Sequence, residues 1–248
     1  MKKTILLMTT ALGLCLLSLL YAFKPAPDLS KEIMGAWGFT DDAGNETVII
    51  FSDNVISAAV FNKNKKQFRY SSGGTWRLDK DKLIVQCEWN SEDSTKVGKE
   101  ETEVIAINNQ QLHIIGANMI CKRLDDGTPG ALVGTWIISG NYVQDKVSKR
   151  ANPFYPRRTM KVLSGKYFQW IAYNVVTKSF IATGGGTYTT ANGIYTENIH
   201  YFTKTAESVG KSLQFEYAVV NDDWRHKGEK STGGVLDECW TKRSQFEK

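Results

Sequence analysis

The sequence predicts an all-β protein made of two tandem antiparallel barrels. Three observations carry that reading: an internal repeat, short strand-like segments closed by turn residues, and the lack of a sustained helical period in the body of the chain. A shift of 112 residues lays Glu46–Ile114 over Arg158–His226 without a gap. Within it Thr47 meets Thr159, Ser52 meets Ser164, Asn62 meets Asn174 and Phe68 meets Phe180. Gly73-Gly74-Thr75-Trp76 meets Gly185-Gly186-Thr187-Tyr188, and Val97-Gly98-Lys99 meets Val209-Gly210-Lys211. Upstream, Gly35-Ala36-Trp37 answers Gly134-Thr135-Trp136 at a shorter shift, because the second copy has the longer first loop. Matches spread this evenly make the chain two copies of one unit.

Each unit reads as antiparallel strands. Thr47–Phe51, Val55–Phe61, Lys82–Trp89 and Glu103–Ile107 are short and β-branched or aromatic, and Asp53-Asn54, Asn62-Lys63-Asn64-Lys65, Gly73-Gly74 and Asn108-Asn109 punctuate them. Many short strands in about a hundred residues suggest a barrel or a sandwich. An up-and-down barrel leaves no exposed edges, which favours it for so strand-rich a unit.

The chain begins with Met1-Lys2-Lys3 and an apolar run from Thr4 to Phe23 broken only by Thr9, Thr10 and Ser18. That is the pattern of a secretory signal. The run also reaches the roughly 20 residues that span a bilayer, so an uncleaved membrane anchor through residues 4–23 is the alternative. Either version exports the body, to the periplasm or beyond. Cys15 follows Leu14 and precedes more apolar residues, which argues against lipidation. The expected organisation is therefore a signal or anchor at 1–23, a linker at 24–32, a first barrel at 33–124 and a second at 131–243. The turn-rich Asp125–Gly130 joins the two barrels.

Composition narrows the function. Of 248 residues, 42% are hydrophobic and 23% charged, enough apolar material for a substantial core. The net charge of +5 is spread over turn lysines such as Lys63, Lys65, Lys66, Lys80 and Lys82. No basic stripe interleaves with aromatics, so no nucleic-acid partner is expected. The three histidines, His113, His200 and His226, lack metal-ligand spacing, with His200 facing out and His226 in a polar turn at Asn221–Lys230. Gly184-Gly185-Gly186 lacks the Gly-Lys-Ser/Thr ending of a phosphate loop, and no serine sits in a Gly-x-Ser-x-Gly elbow. No metal, cofactor or catalytic residue is assigned. Matching Ile120 to Trp240 turns Cys121 outward while Cys87 points inward, so free thiols are expected even in an oxidising compartment.

A Gly-x-Trp at the entrance of the first strand resembles the mark of lipocalin-like barrels, where the indole closes one end. The second copy is similar more specifically to a family of bacterial secreted lipocalin-like domains with no assigned activity. The resemblance rests on Gly134-Thr135-Trp136, Arg157–Lys161, Phe168-Gln169-Trp170, Gly184–Tyr188, Tyr195-Thr196-Glu197 and Glu238–Arg243. It implies tandem lipocalin-like barrels. The first copy keeps Gly35-x-Trp37 and Gly73–Trp76 and lacks the Arg-Arg, the Tyr-x-Glu and the Glu-x-Trp.

Strand alternation then locates a candidate site. In the first copy Leu83, Val85, Cys87 and Trp89 share the inward face, which places Tyr195, Glu197, Ile199 and Tyr201 inward in the second. Val85 is thus replaced by Glu197. The same register puts Ile56, Ala58 and Val60 opposite Phe168, Trp170 and Ala172, and Ile105 opposite Tyr217. A buried carboxylate needs a partner or a proton. Arg157 or Arg158 is the expected partner if Glu197 only braces the barrel. If it lines a cavity instead, Arg158, Phe168, Trp170, Tyr188, Tyr195, Glu197, Tyr217, Glu238 and Trp240 form a ligand-binding set for a small amphipathic or carbohydrate-like molecule. Glu197 with Glu238 as a carboxylate pair for a glycan-active enzyme is a further alternative, and a structural adaptor with filled barrels is another. Exchanging Glu197 for the first copy's valine is expected to spare the fold and abolish binding.

Overall fold

A computed structural model describes residues 28–128, 130–230 and 233–247. The predicted signal or anchor lies outside the described residues, among which no helix is long and apolar enough to cross a membrane. One helical turn, Leu29–Glu32, stands within the stretch read as linker.

The chain from Ile33 onward forms two closed eight-stranded antiparallel barrels. The first is built in sequence order from β1 (Gly35–Thr40), β2 (Glu46–Ser52), β3 (Val55–Asn62), β4 (Gln67–Asp79), β5 (Lys82–Asn90), β6 (Glu100–Asn108), β7 (Gln111–Ile114) and β8 (Met119–Asp125). Pairing of β8 with β1 closes it. The second comprises β9 (Gly134–Val143), β11 (Arg157–Leu163), β12 (Tyr167–Asn174), β13 (Ser179–Ala191), β14 (Ile194–Phe202), β15 (Ser212–Val220), β16 (Asp223–Glu229) and β17 (Val235–Lys242). Here β17 closes on β9, and a short β10 (Lys146–Lys149) folds back on the far half of β9. Sequential pairing all the way round is the up-and-down plan that the Gly-x-Trp resemblance implies. The Trp37 indole donates to Ile33 O at 2.8 Å, and the Trp136 indole donates to Leu132 O at the same distance. Arg123 lies 4.0 Å over the ring of Trp37 and Lys242 4.2 Å over that of Trp136.

The repeat organises the seam between the barrels as well as each barrel. Ser57 Oγ donates to Gln169 Oε1, a residue 112 further along, and Gln169 Nε2 donates to Ser71 Oγ at 2.8 Å and to Thr183 Oγ1 at 2.9 Å. Phe68 stacks on its counterpart Phe180 with ring centroids 6.0 Å apart. Trp89 packs against Tyr173 at 5.4 Å, while their counterparts Tyr201 and Phe61 stack at 4.6 Å. Residues offset by the repeat thus meet across a pseudo-twofold axis, as in an isologous dimer interface. Glu88, whose counterpart is His200, departs from the symmetry: it accepts from Arg158 Nη1 at 2.8 Å, Arg243 Nη2 at 2.5 Å and the Tyr173 hydroxyl.

This seam corrects two expectations of strand alternation. Trp89 and Tyr201 do not face the barrel interiors. On β5, Gly74 pairs with Cys87 and Gly73 with Trp89, leaving Glu88 unpaired; on β14, Gly186 pairs with Ile199 and Gly185 with Tyr201, leaving His200 unpaired. Each extra residue is a β-bulge that reverses the faces beyond it. The large rings turn into the seam, and a β-carbon at Gly73 or Gly185 would overlap them, which is why glycine stands at both positions. Cys121 is a third correction. It pairs with Leu112 as Trp240 pairs with Trp224, so the counterpart of Trp240 is Cys121 and not Ile120. Cys121 therefore points inward and is fully buried, and Ile120 is 48% exposed. Cys87, Cys121 and Cys239 are free thiols.

Candidate functional site

The second barrel holds a cavity of about 410 Å³. Alternation on each strand supplies its wall: Thr159 and Lys161 from β11, Trp170 from β12, Glu197 from β14, Leu213 and Phe215 from β15, His226 from β16, and Leu236, Glu238 and Trp240 from β17. Phe202 joins them because the bulge at His200 returns it to the inward face. Beneath the cavity, toward Trp136, the barrel is filled by Leu163, Phe168, Tyr188, Tyr195, Ile199 and Trp224.

Four predicted site residues, Trp170, Glu197, Glu238 and Trp240, therefore line one cavity. Phe168, Tyr188 and Tyr195 are buried in the packed layer, with Tyr217 half-buried against it. Arg158 does not join them. Thr159 and Lys161 face inward on β11, so Arg158 faces outward and bonds to Glu88 at the seam.

The partner of Glu197 is Lys161, a residue the sequence argument did not single out. Its Nζ lies 2.7 Å from Glu197 Oε1, and the two side chains are 5% and 7% exposed. The ammonium also lies 4.9–5.2 Å from the ring centres of Trp224, Tyr195 and Trp240. Aromatic faces attract a desolvated cation, so they stabilise Lys161 together with the carboxylate. Lys161 belongs to the Arg157–Lys161 motif, and its counterpart in the first copy is Ile49, so the paired exchange of Ile49 and Val85 for Lys161 and Glu197 was readable in the repeat.

A second polar pair stands beside the first. Glu238 Oε2 accepts from the Trp240 indole at 3.0 Å and lies 3.3 Å from His226 Nδ1. Burial opposes ionisation of Glu238, but contact with His226, the charge of Lys161 and the indole N–H outweigh it and lower its pKa. Burial, reinforced by Lys161, lowers the pKa of His226. At neutral pH Glu238 is a carboxylate, which accepts only, so Nδ1 of a neutral His226 carries the proton. His226 lies in β16 rather than in a polar turn, because Asn221 and Asp222 (φ 50° and 65°) complete the hairpin turn by themselves. At the rim, Trp170 meets Phe202 edge-on at 5.6 Å, Lys204 Nζ lies 5.2 Å over Trp170, and Lys230 is exposed.

No protein-family model and no curated protein matches the chain. Among solved structures, the Cpx pathway activator NlpE from Escherichia coli aligns with 84% of this chain and 92% of its own, at 11% identity and a TM-score of 0.24. A likeness of that size carries no argument about function.

Proposed function

We propose that the chain is an exported lipocalin-like protein whose second barrel, akin to secreted bacterial lipocalin-like domains, binds a small amphipathic or carbohydrate-like molecule. The cavity carries this reading. Its 410 Å³ falls within the usual range for small-molecule sites, and its wall combines Ile138, Trp170, Phe202, Leu213, Phe215, Leu236 and Trp240 with a few convergent polar groups. Flat apolar faces for a ligand's body and fixed polar groups for its head are what such binding requires.

The filled-barrel adaptor accords less well with a cavity of this size. Both carboxylates line it, which is the observation that favours a glycan-active enzyme. Yet a general acid needs a raised pKa, whereas that of Glu238 is lowered and Glu197 is held by Lys161. The positive end and apolar run of residues 1–23 support export.

Native mass spectrometry of protein from its own host, together with titration by an apolar fluorescent probe, tests the binding reading. A retained small molecule, or probe uptake that Trp170→Ala weakens, supports it. A protein that carries no adduct and takes up no probe ends it.

A further inference from the structure

Hydrogen-bonding groups in the cavity wall specify more than a generic amphiphile. His226 is 3% exposed, lines the cavity, and has no hydrogen-bond partner at Nε2 among the described residues. With its Nδ1 proton directed at Glu238, a neutral His226 offers Nε2 as an acceptor. A buried acceptor left unmatched is costly, so Nε2 favours a ligand atom that carries a hydrogen. Lys161 packs against the same two rings: its Nζ lies 5.0 Å from Tyr195 and 4.9 Å from Trp224, and the His226 ring lies 5.6 Å and 5.2 Å from them. Glu197 Oε1 takes one of the donors of its ammonium. An acceptor and a donor therefore share one region of the wall.

Charge narrows the choice further. A ligand carboxylate has no hydrogen for Nε2 and meets Glu197 and Glu238. A ligand ammonium can donate, but meets Lys161 inside and Lys204 and Lys230 at the mouth. A neutral hydroxyl both donates and accepts, and repels neither set.

We infer that the molecule bound in the second barrel presents a neutral hydroxyl to this wall, donating to His226 Nε2 and accepting from Lys161 Nζ. This rests on the binding reading above and names its ligand class: alcohols and sugar-headed amphiphiles rather than fatty acids or amines.

Three probes with one tail decide it: 1-octanol, octanoate and octylammonium, titrated calorimetrically into the intact protein at neutral pH. Octanol is expected to bind at least about tenfold more tightly than either charged probe, because a site built around a hydroxyl rejects ligands that cannot match it. The ¹⁵N resonance of His226 Nε2 should move on adding octanol, and His226→Phe should erase the tenfold preference. Octanoate or octylammonium binding as tightly as octanol overturns the inference while leaving cavity binding intact, and so does octanol binding that leaves the His226 nitrogen unmoved. Failure of all three probes to bind overturns the binding reading itself, and the inference with it.

Discussion

The two barrels agree where they face each other and differ where they face inward. At the seam, Phe68 answers Phe180, Phe61 answers Tyr173, and Trp89 answers Tyr201, each pair holding the same place in a pseudo-symmetric contact. Inside, the first copy's Ile49, Val85, Leu83, Leu112 and Ile114 stand where the second has Lys161, Glu197, Tyr195, Trp224 and His226. The outer faces are tied to each other, because a change on one side must suit its partner on the other. The interiors carry no such tie. One interior could turn polar and aromatic without disturbing the shared seam, provided its charges came in pairs.

The contrast between the two interiors turns on the buried Lys161–Glu197 ion pair. Glu197→Val alone leaves Lys161 charged, buried and without its carboxylate, and is expected to cost about 3–5 kcal/mol in urea unfolding. The finding of Lys161 thereby replaces the expectation that this exchange spares stability. A loss below about 1 kcal/mol would mean that the aromatic rings alone sustain the ammonium.

A smaller effect is expected from Glu88→Gln, which removes the charged node from one side of the seam. Loss of its charged hydrogen bonds should cost about 2–3 kcal/mol at neutral pH. Burial works against ionisation of Glu88, but Arg243, Arg158 and the Tyr173 hydroxyl prevail and hold its pKa below the ordinary 4.5. Its stabilising contribution is therefore full above 4.5 and disappears as pH falls through the lowered value. Stability measured between pH 6 and about 2 should fall less steeply in the variant than in the parent. Equal acid limbs would show that Glu88 does not govern that region.

The double exchange Lys161→Ile with Glu197→Val copies the first barrel's own solution. It should leave stability within about 1 kcal/mol of the parent or raise it, since hydrophobic replacement of a buried ion pair is often neutral or stabilising. Octanol binding should be lost in the same variant. The coupling between the two single exchanges follows from the double-mutant cycle, and additive single effects would deny that the residues form a unit.

The smallest effect expected is in thiol chemistry, where the barrels behave alike. Burial pushes the pKa of both Cys87 and Cys121 up to about 11, and Cys239 is fully buried. Peptide-resolved alkylation at pH 8 should label these three only as fast as the chain unfolds. Rapid labelling of Cys121 in the native protein would show that its inward placement is wrong.

Much of this was legible in the sequence because the repeat supplies its own control. Period-two alternation placed Glu197 on the inward face of β14, and the match of Glu197 to Val85 marked it as unusual. Alternation fails where a strand gains a residue, so the bulges at Glu88 and His200 sent Trp89 and Tyr201 to faces it could not assign. The turn between β16 and β17 is longer than that between β7 and β8, and matching Ile120 to Trp240 set the copies one residue out of step, which misplaced Cys121. The partner of Glu197 was missed for a different reason. The adjacent arginines were the more conspicuous cations, but Arg158 faces outward and Arg157 is exposed at the start of β11, whereas Lys161 lies buried on the inward face.

The seam has one more consequence. Leu163, whose carbonyl accepts from Ser52, and the buried Ile50, Met160, Val162 and Ile171 show that the middle layer draws on both copies. Neither half has a finished outer wall by itself. A fragment carrying only one copy would expose a self-complementary patch and should form homodimers in solution, reproducing from two identical chains the arrangement that the intact polypeptide achieves within one.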